Sequence, residues 1–188
     1  MNRPIEKLNY NFELPLIQKE VEEILNQVPL DSDQQVMLSC RPNSSAPNTE
    51  GKGSIYDKQN KKYIFQQSEF TEFNPNFRGG YLEKLWKEFP FSIGRFRIAV
   101  LPRHRCYSLH MDREPRFHIA VFTHERSFIL FEKDPQWYHI PADGFLYKME
   151  TCYFHTAMNA GFDKRVHLLF DSLESYPESL LGQKGRFD

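Results

Sequence analysis

The sequence predicts a mainly β protein, a jelly roll with helices flanking it on the N-terminal side. Three observations carry this. From Ile93 onward, short apolar runs follow one another at regular spacing with turn residues between them, the pattern of a sandwich or barrel. Aromatic residues are abundant, with 17 Phe and 9 Tyr, which suits a β-rich core. Helical spacing of apolar residues occurs only before that point. At 188 residues the chain is long enough for one domain with a real core.

In chain order, residues 1–13 read as extended, with a strand through Tyr10 and Phe12. Pro15 sits where a helix can begin. Leu16, Ile17, Val21, Ile24, Leu25 and Val28 then follow a helical stripe that Pro29 ends. A short strand is expected over 35–40. Residues 41–54 are rich in Pro, Ser, Asn and Gly and read as a loop. A second polar-aromatic stretch runs from Tyr63 to Phe77 and ends at Gly79-Gly80. Both segments are long for plain connectors, and residues 41–78 are candidates for a binding lid. A short helix follows over 81–89, with Leu82, Leu85 and Trp86 inward, and Pro90 stops it. Eight strands are then expected, over 96–101, 106–111, 116–123, 127–132, 136–140, 145–149, 152–158 and 164–171. Pro141-Ala142-Asp143-Gly144 is a turn between the fifth and sixth. The organisation is one domain over 1–188: a support and lid region over about 1–92, a β core over about 93–171 and a polar tail over 172–188.

Composition excludes several functions. The net charge of −1 gives no basis for binding nucleic acid or an anionic membrane surface. No apolar run approaches the ~20 residues of a membrane span, and the N-terminus lacks a signal-peptide core. Three cysteines (Cys40, Cys106 and Cys152) form no C-x-x-C and no even framework, so a reducing, cytoplasmic setting is expected.

Chemistry concentrates in Tyr107-Ser108-Leu109-His110-Met111-Asp112. Residues two apart on a strand share a face, so His110 and Asp112 present an imidazole and a carboxylate side by side. That is two thirds of a facial triad, the arrangement that holds non-haem Fe(II) with three positions open. His155, on the seventh expected strand, is the candidate third ligand. The second and seventh strands of a jelly roll are neighbours, so the three can converge. Each piece has an ordinary alternative: His110 a core histidine, Asp112 a turn residue, Arg165 a surface charge. Order, spacing and strand context together favour the metal site. Zinc stays open through Cys152-x-x-His155, although no second such pair is present.

With Arg165 ten residues beyond His155, the chain resembles the Fe(II)/2-oxoglutarate-dependent oxygenases, and within them the aspartyl/asparaginyl β-hydroxylase family. The matching residues are His110-x-Asp112, His155 and Arg165, together with Arg116-Phe117-His118, His155-x-x-x-Asn159 and Arg165-x-x-Leu168-x-x-Asp171. The resemblance covers about residues 93–171. It implies a double-stranded β-helix carrying Fe(II) on His110, Asp112 and His155. It implies that Arg165 pairs with the distal carboxylate of the co-substrate 2-oxoglutarate and that Arg116 and His118 hold its other end. The implied activity is a dioxygenase that hydroxylates an amino acid or a residue in a peptide with O2, releasing succinate and CO2. Asp112 is present where some animal members lack the carboxylate, which implies an intact triad. The remaining histidines, His104, His124, His139 and His167, carry no assigned role, although His167 shares a strand face with Arg165. Arg103, His104 and Arg105 are either a substrate-carboxylate site or a solvated loop. Two other classes share the barrel: a cupin-type metal-binding isomerase, and a non-catalytic small-ligand-binding barrel. The isomerase usually prefers a His-x-His pair with a Glu and does not need Arg165.

Overall fold

The computed structural model describes residues 3–57 and 59–173. The chain runs through β1 (Ile5–Asn11), α1 (Leu14–Gln27), β2 (Gln35–Met37), β3 (Ser39–Cys40), β4 (Tyr56–Asp57) and β5 (Lys62–Tyr63). A 3₁₀ turn (Gln67–Glu69), β6 (Glu72–Phe73), a second 3₁₀ turn (Pro75–Phe77) and α2 (Tyr81–Glu88) follow. The remainder is β7 (Ile93–Leu101), β8 (Arg105–Cys106), β9 (Arg116–Phe122), β10 (Ser127–Phe131), β11 (Asp134–Tyr138), β12 (Phe145–Met149), β13 (His155–Asn159) and β14 (Arg165–Ser172). Two antiparallel sheets dominate, a six-stranded one in the order β1-β12-β9-β14-β7-β2 and a four-stranded one in the order β11-β10-β13-β8. The protein is therefore mainly β, and neither described helix is long and apolar enough to cross a membrane. All three cysteines are free thiols.

The large sheet separates two cores. Alternate residues of its central strands point outward: Phe96, Ile98 and Val100 of β7, Phe117, Ile119 and Val121 of β9, and Val166, Leu168 and Phe170 of β14. They pack against Ile17, Val21 and Ile24 of α1 and Leu82 and Leu85 of α2. The spacing of those helix residues puts them on one stripe, and each buried side chain contributes about 1.5–3 kcal/mol. Phe170 sits among other aromatic rings, stacked on Phe117 at 5.5 Å and edge-on to Phe89 at 4.8 Å. α1 ends because Pro29 cannot donate a hydrogen bond and pushes Val28 into extended backbone. The second core lies between the sheets. There Leu101, Ala120, Tyr147 and Met149 meet Ile129, Phe131 and Ala157.

The structure departs from the sequence expectation in three places. The strand expected over 35–40 is two, β2 pairing with β7 and β3 with β6, because the chain changes partners at Leu38. The second core strand shortens to Arg105–Cys106 followed by a single bridge at His110. In between, the Ser108 carbonyl is taken by the His110 ring. The seventh strand begins at His155, since residues 151–153 form a turn. Of the expected tail, only Ser172 and Leu173 fall within the described residues.

Two glycines are required by close approach. Gly144 has φ +79 in the expected turn, and a Cβ there would lie 2.8 Å from the Phe12 carbonyl oxygen. At Gly94 a Cβ would meet the Gln67 carbonyl at 2.5 Å, so only glycine lets the 67–69 turn lie against β7. Next to Gly94, β7 carries a bulge: Leu169 pairs with Arg97 and Asp171 with Gly94, so Arg95 and Phe96 together oppose Phe170. Arg95 takes φ +46 there, a left-handed conformation that is costly for a residue with a side chain. The Phe96 N–H, turned away from β14, donates to Ser39 Oγ at 2.8 Å.

Candidate metal centre

Backbone pairing builds the centre. His110 and His155 face each other across an antiparallel bridge, exchanging N–H···O bonds of 3.0 and 2.8 Å. Directly paired residues project to the same side, and the two rings stand 4.4 Å apart. Two residues on, the Asp112 N–H donates to the Thr151 carbonyl at 2.8 Å, which sets its carboxylate beside them. One ligand atom from each of His110, Asp112 and His155 lies within 4.8 Å of the others, with His155 Nε2 at 3.9 Å from Asp112 Oδ2.

Each histidine is oriented by its own backbone. His110 Nδ1 lies 2.7 Å from the Ser108 carbonyl, and His155 Nδ1 lies 2.8 Å from the Tyr153 carbonyl. A carbonyl only accepts, so Nδ1 carries the hydrogen in both rings and Nε2 keeps a free lone pair. Burial, with His110 alongside, pushes His155 below the usual histidine range and favours the neutral ring that a metal needs. Two imidazoles and a carboxylate with open positions fit a non-haem Fe(II) site.

The histidines open on a cavity also lined by Leu101, Arg116, His118, Arg165 and His167. Arg165 is positioned by the β13–β14 connection, where the Asn159 side chain donates to the carbonyls of Leu101 and Asp163. Arg165 is 5% exposed and, among the described residues, has no carboxylate within ion-pair distance. Its guanidinium lies along the His167 ring, with contacts of 3.0 Å to each ring nitrogen. Burial pulls it down to about 10. His167 Nδ1 stands 3.3 Å from His118 Nδ1. Burial and the Arg165 charge hold both of these histidines well below their usual range, so both are neutral. The Arg165 Nε–H donates to His167 Nε2, so His167 Nδ1 carries the hydrogen and its approach to Arg165 Nη2 is a contact between donors; Nδ1–H then donates to His118 Nδ1, which leaves His118 Nε2 as an N–H donor. That nitrogen is buried and, among the described residues, has no partner.

Arg116 is placed differently. Its Nη1 is 2.9 Å from Asp112 Oδ2 and its Nε is 3.5 Å from Asp171 Oδ1. Burial lowers its pKa, but Asp171 and Asp112 together outweigh burial and raise it. The structure therefore brings all six expected site residues to one cavity or its edge, with Arg116 committed to carboxylates and Arg165 not. Arg103, His104 and Arg105 are exposed and line neither this cavity nor the cleft beside it.

Sequence inspection missed Arg95 and Arg97 and gave Asp171, the end of the Arg165-x-x-Leu168-x-x-Asp171 match, no role of its own. Arg97 and Asp171 are buried side by side, with Arg97 Nη1 at 3.7 Å from Asp171 Oδ2. The available signal was Arg95-Phe96-Arg97 inside an otherwise apolar strand, two cations at strand spacing where a core strand tolerates none without purpose. All three line the wider cleft that also reaches His110 and Asp112 and is walled by residues 53–56, 63 and 65–68.

No family model matches the chain, and no curated protein matches it in sequence. Among solved structures it is similar to an oxidoreductase of the 2OG-Fe(II) oxygenase family from Burkholderia pseudomallei. The two are 11% identical with a TM-score of 0.46, over 88% of this chain and 82% of that one.

Proposed function

We propose that the protein is an Fe(II)- and 2-oxoglutarate-dependent dioxygenase whose two sheets form a double-stranded β-helix, and that it hydroxylates an amino acid or a residue in a peptide. One observation carries this: a three-ligand set of two histidines and an aspartate shares its cavity with a buried arginine that has no carboxylate partner among the described residues. Of the residues that match the aspartyl/asparaginyl β-hydroxylase pattern, His110, Arg116, His118, His155 and Arg165 line this cavity. An isomerase or a passive barrel has no use for an unpaired cation there.

His110, Asp112 and His155 hold Fe(II). Arg165 presents a planar fork to the distal carboxylate of 2-oxoglutarate, the geometry that guanidinium matches best. His118, with its unpartnered Nε2, supplies a donor for the other end of the co-substrate. Arg116 borders that end, and its 2.9 Å ion pair with Asp112 Oδ2 holds that carboxylate in place beside the two histidines. Bound there, Fe(II) and 2-oxoglutarate supply the oxidant: one O2 is consumed, the oxo acid is converted to succinate and CO2, and a substrate C–H becomes C–OH. Leu101, Ile129 and Ala157 form apolar walls around the co-substrate.

The test is anaerobic loading with Fe(II) followed by 2-oxoglutarate, watching for the visible charge-transfer band that a chelated oxo acid gives with Fe(II). The parent should bind one Fe(II) and develop the band, and His155→Ala should do neither. No band in the parent, or undiminished iron affinity in His155→Ala, overturns the assignment.

A further inference from the structure

We infer that Arg97, braced by Arg95, is the substrate's carboxylate site, so that the molecule hydroxylated is a small free carboxylic acid rather than an internal residue of a peptide. This deepens the proposed dioxygenase function and rests on it.

Arg97 is 2% exposed and lines the cleft that reaches His110 and Asp112. Its Nη1 donates to the Arg95 carbonyl at 2.9 Å and stands 3.7 Å from Asp171. Its Nε is buried and has no partner among the described residues. Arg95 is held by the Gly51 carbonyl at 2.7 Å and by the Gly53 carbonyl, and it sits at the φ +46 bulge. Backbone strain of this kind persists where the surroundings impose it, as they do at binding sites. Burial beside other cations pulls Arg97 to about 10 and Arg95 to about 8. A guanidinium keeps its proton at neutral pH, so both side chains stay charged in this buried setting.

Formal charges agree. Arg95, Arg97, Arg116 and Arg165 line the cavity and cleft against Asp112 and Asp171, an excess of two positive charges. A divalent metal and a dianionic co-substrate cancel each other and leave that excess in place. A purely structural network would need only Asp171 shared between Arg97 and Arg116. At the cleft rim, Asp33 and Glu114 are exposed and are partly offset by the exposed Arg113. Tyr56, Tyr63, Phe65, Tyr107 and Met111 give the remainder of such an acid an apolar and aromatic surface.

The experiment is ligand-observed saturation-transfer NMR on the full chain loaded with Zn(II), which does no redox chemistry, with and without 2-oxoglutarate. The probes are free L-amino acids, simple dicarboxylic acids and the matching carboxamides. Acids should bind and their carboxamides should not. Arg97→Gln should weaken the acid by about tenfold or more, the cost of a lost charged hydrogen bond, while 2-oxoglutarate affinity stays at the parent value. Arg97→Lys, which keeps the charge but not the fork, should bind several-fold less tightly and still reject the carboxamide; it decides the matter if Arg97→Gln does not fold. Equal binding of acid and carboxamide, no binding by any acid, or parent-like binding in Arg97→Lys overturns the proposal. So does a fall in 2-oxoglutarate affinity in Arg97→Gln, which would make Arg97 a co-substrate residue. Absence of an Fe(II)–2-oxoglutarate charge-transfer band with acid selectivity intact would instead sink the dioxygenase assignment alone.

Discussion

The two faces of the six-stranded sheet are made from the same strands and do opposite things. Outward, β7, β9 and β14 contribute only Phe, Ile, Val and Leu to a layer closed by two helices. Inward, the same strands contribute Arg97, Arg116, His118, Arg165, His167 and Asp171. The outer face gains stability from burial. On the inner face, Arg165 gives up hydration with no carboxylate among the described residues to replace it. Stability and function are thus separated by residue parity rather than by domain.

The largest effects come from striking each face once. Phe170→Ala should cost about 3–5 kcal/mol of stability through the cavity left among the rings, seen as a lower urea midpoint, with kcat of the folded protein unchanged. Arg165→Ala should do the reverse. Its kcat/KM for 2-oxoglutarate should fall on the order of a hundredfold, as when one partner of a buried charged contact is removed, while the urea midpoint holds or rises. A stability loss in Arg165→Ala matching that of Phe170→Ala would abolish the contrast.

A smaller change sharpens it. Arg165→Lys keeps the charge and loses the fork, so the 2-oxoglutarate KM should rise roughly tenfold with kcat less affected. Steady-state succinate formation separates the two constants.

The inner face should also make stability depend on pH. Burial, then the Arg165 charge, depresses His118 and His167 in the folded state. Above about pH 6.5 both are neutral whether folded or unfolded, and they contribute nothing. Below it the unfolded chain takes up protons and the folded chain does not. Stability therefore falls with pH by up to about 1.4 kcal/mol per unit for each histidine, until the folded-state values are reached. Urea midpoints between pH 5 and 7 should show that slope, and His167→Asn should roughly halve it.

The smallest effect concerns the cleft wall of residues 53–56, 63 and 65–68. Metal, 2-oxoglutarate and a bound acid should slow proteolytic nicking there a few-fold, since cleavage follows the open population. Rates indifferent to all ligands would leave this stretch a fixed wall and not a lid.

Much of this was legible in the sequence. Eight core strands and two helices announce themselves by apolar period and by Pro29, Pro90 and the 141–144 turn. His110 and Asp112 were paired through strand parity, which survives although the ladder between Cys106 and His110 is interrupted, and His155 was the candidate third ligand because the second and seventh strands of a jelly roll are neighbours. The inner cations were harder. Alternation along β7 shows two faces but does not say which is buried, because the covering strands β10 and β13 lie far along the chain. The bulge at Arg95 depends on Gly94, Gln67 and Ser39 coming together, and no local pattern encodes that. Of the two readings of Arg103 to Arg105, the solvated loop is the one the structure carries: nearness in sequence to His110 does not put a side chain in its cleft.

The parity of β14 has a consequence for how this chain can vary. From Arg165 to Asp171 it alternates strictly, four residues inward and three outward, and it is paired on both sides by β7 and β9. One inserted or deleted residue would turn the strand over. A guanidinium, an imidazole and a carboxylate would enter the phenylalanine layer, and Val166, Leu168 and Phe170 would face the candidate metal centre. Exchange of one outward hydrophobe for another leaves the pattern intact. Across related chains the length of this seven-residue stretch should therefore be fixed even where its outward letters drift, and a gap within it would mark a chain that has given up the site.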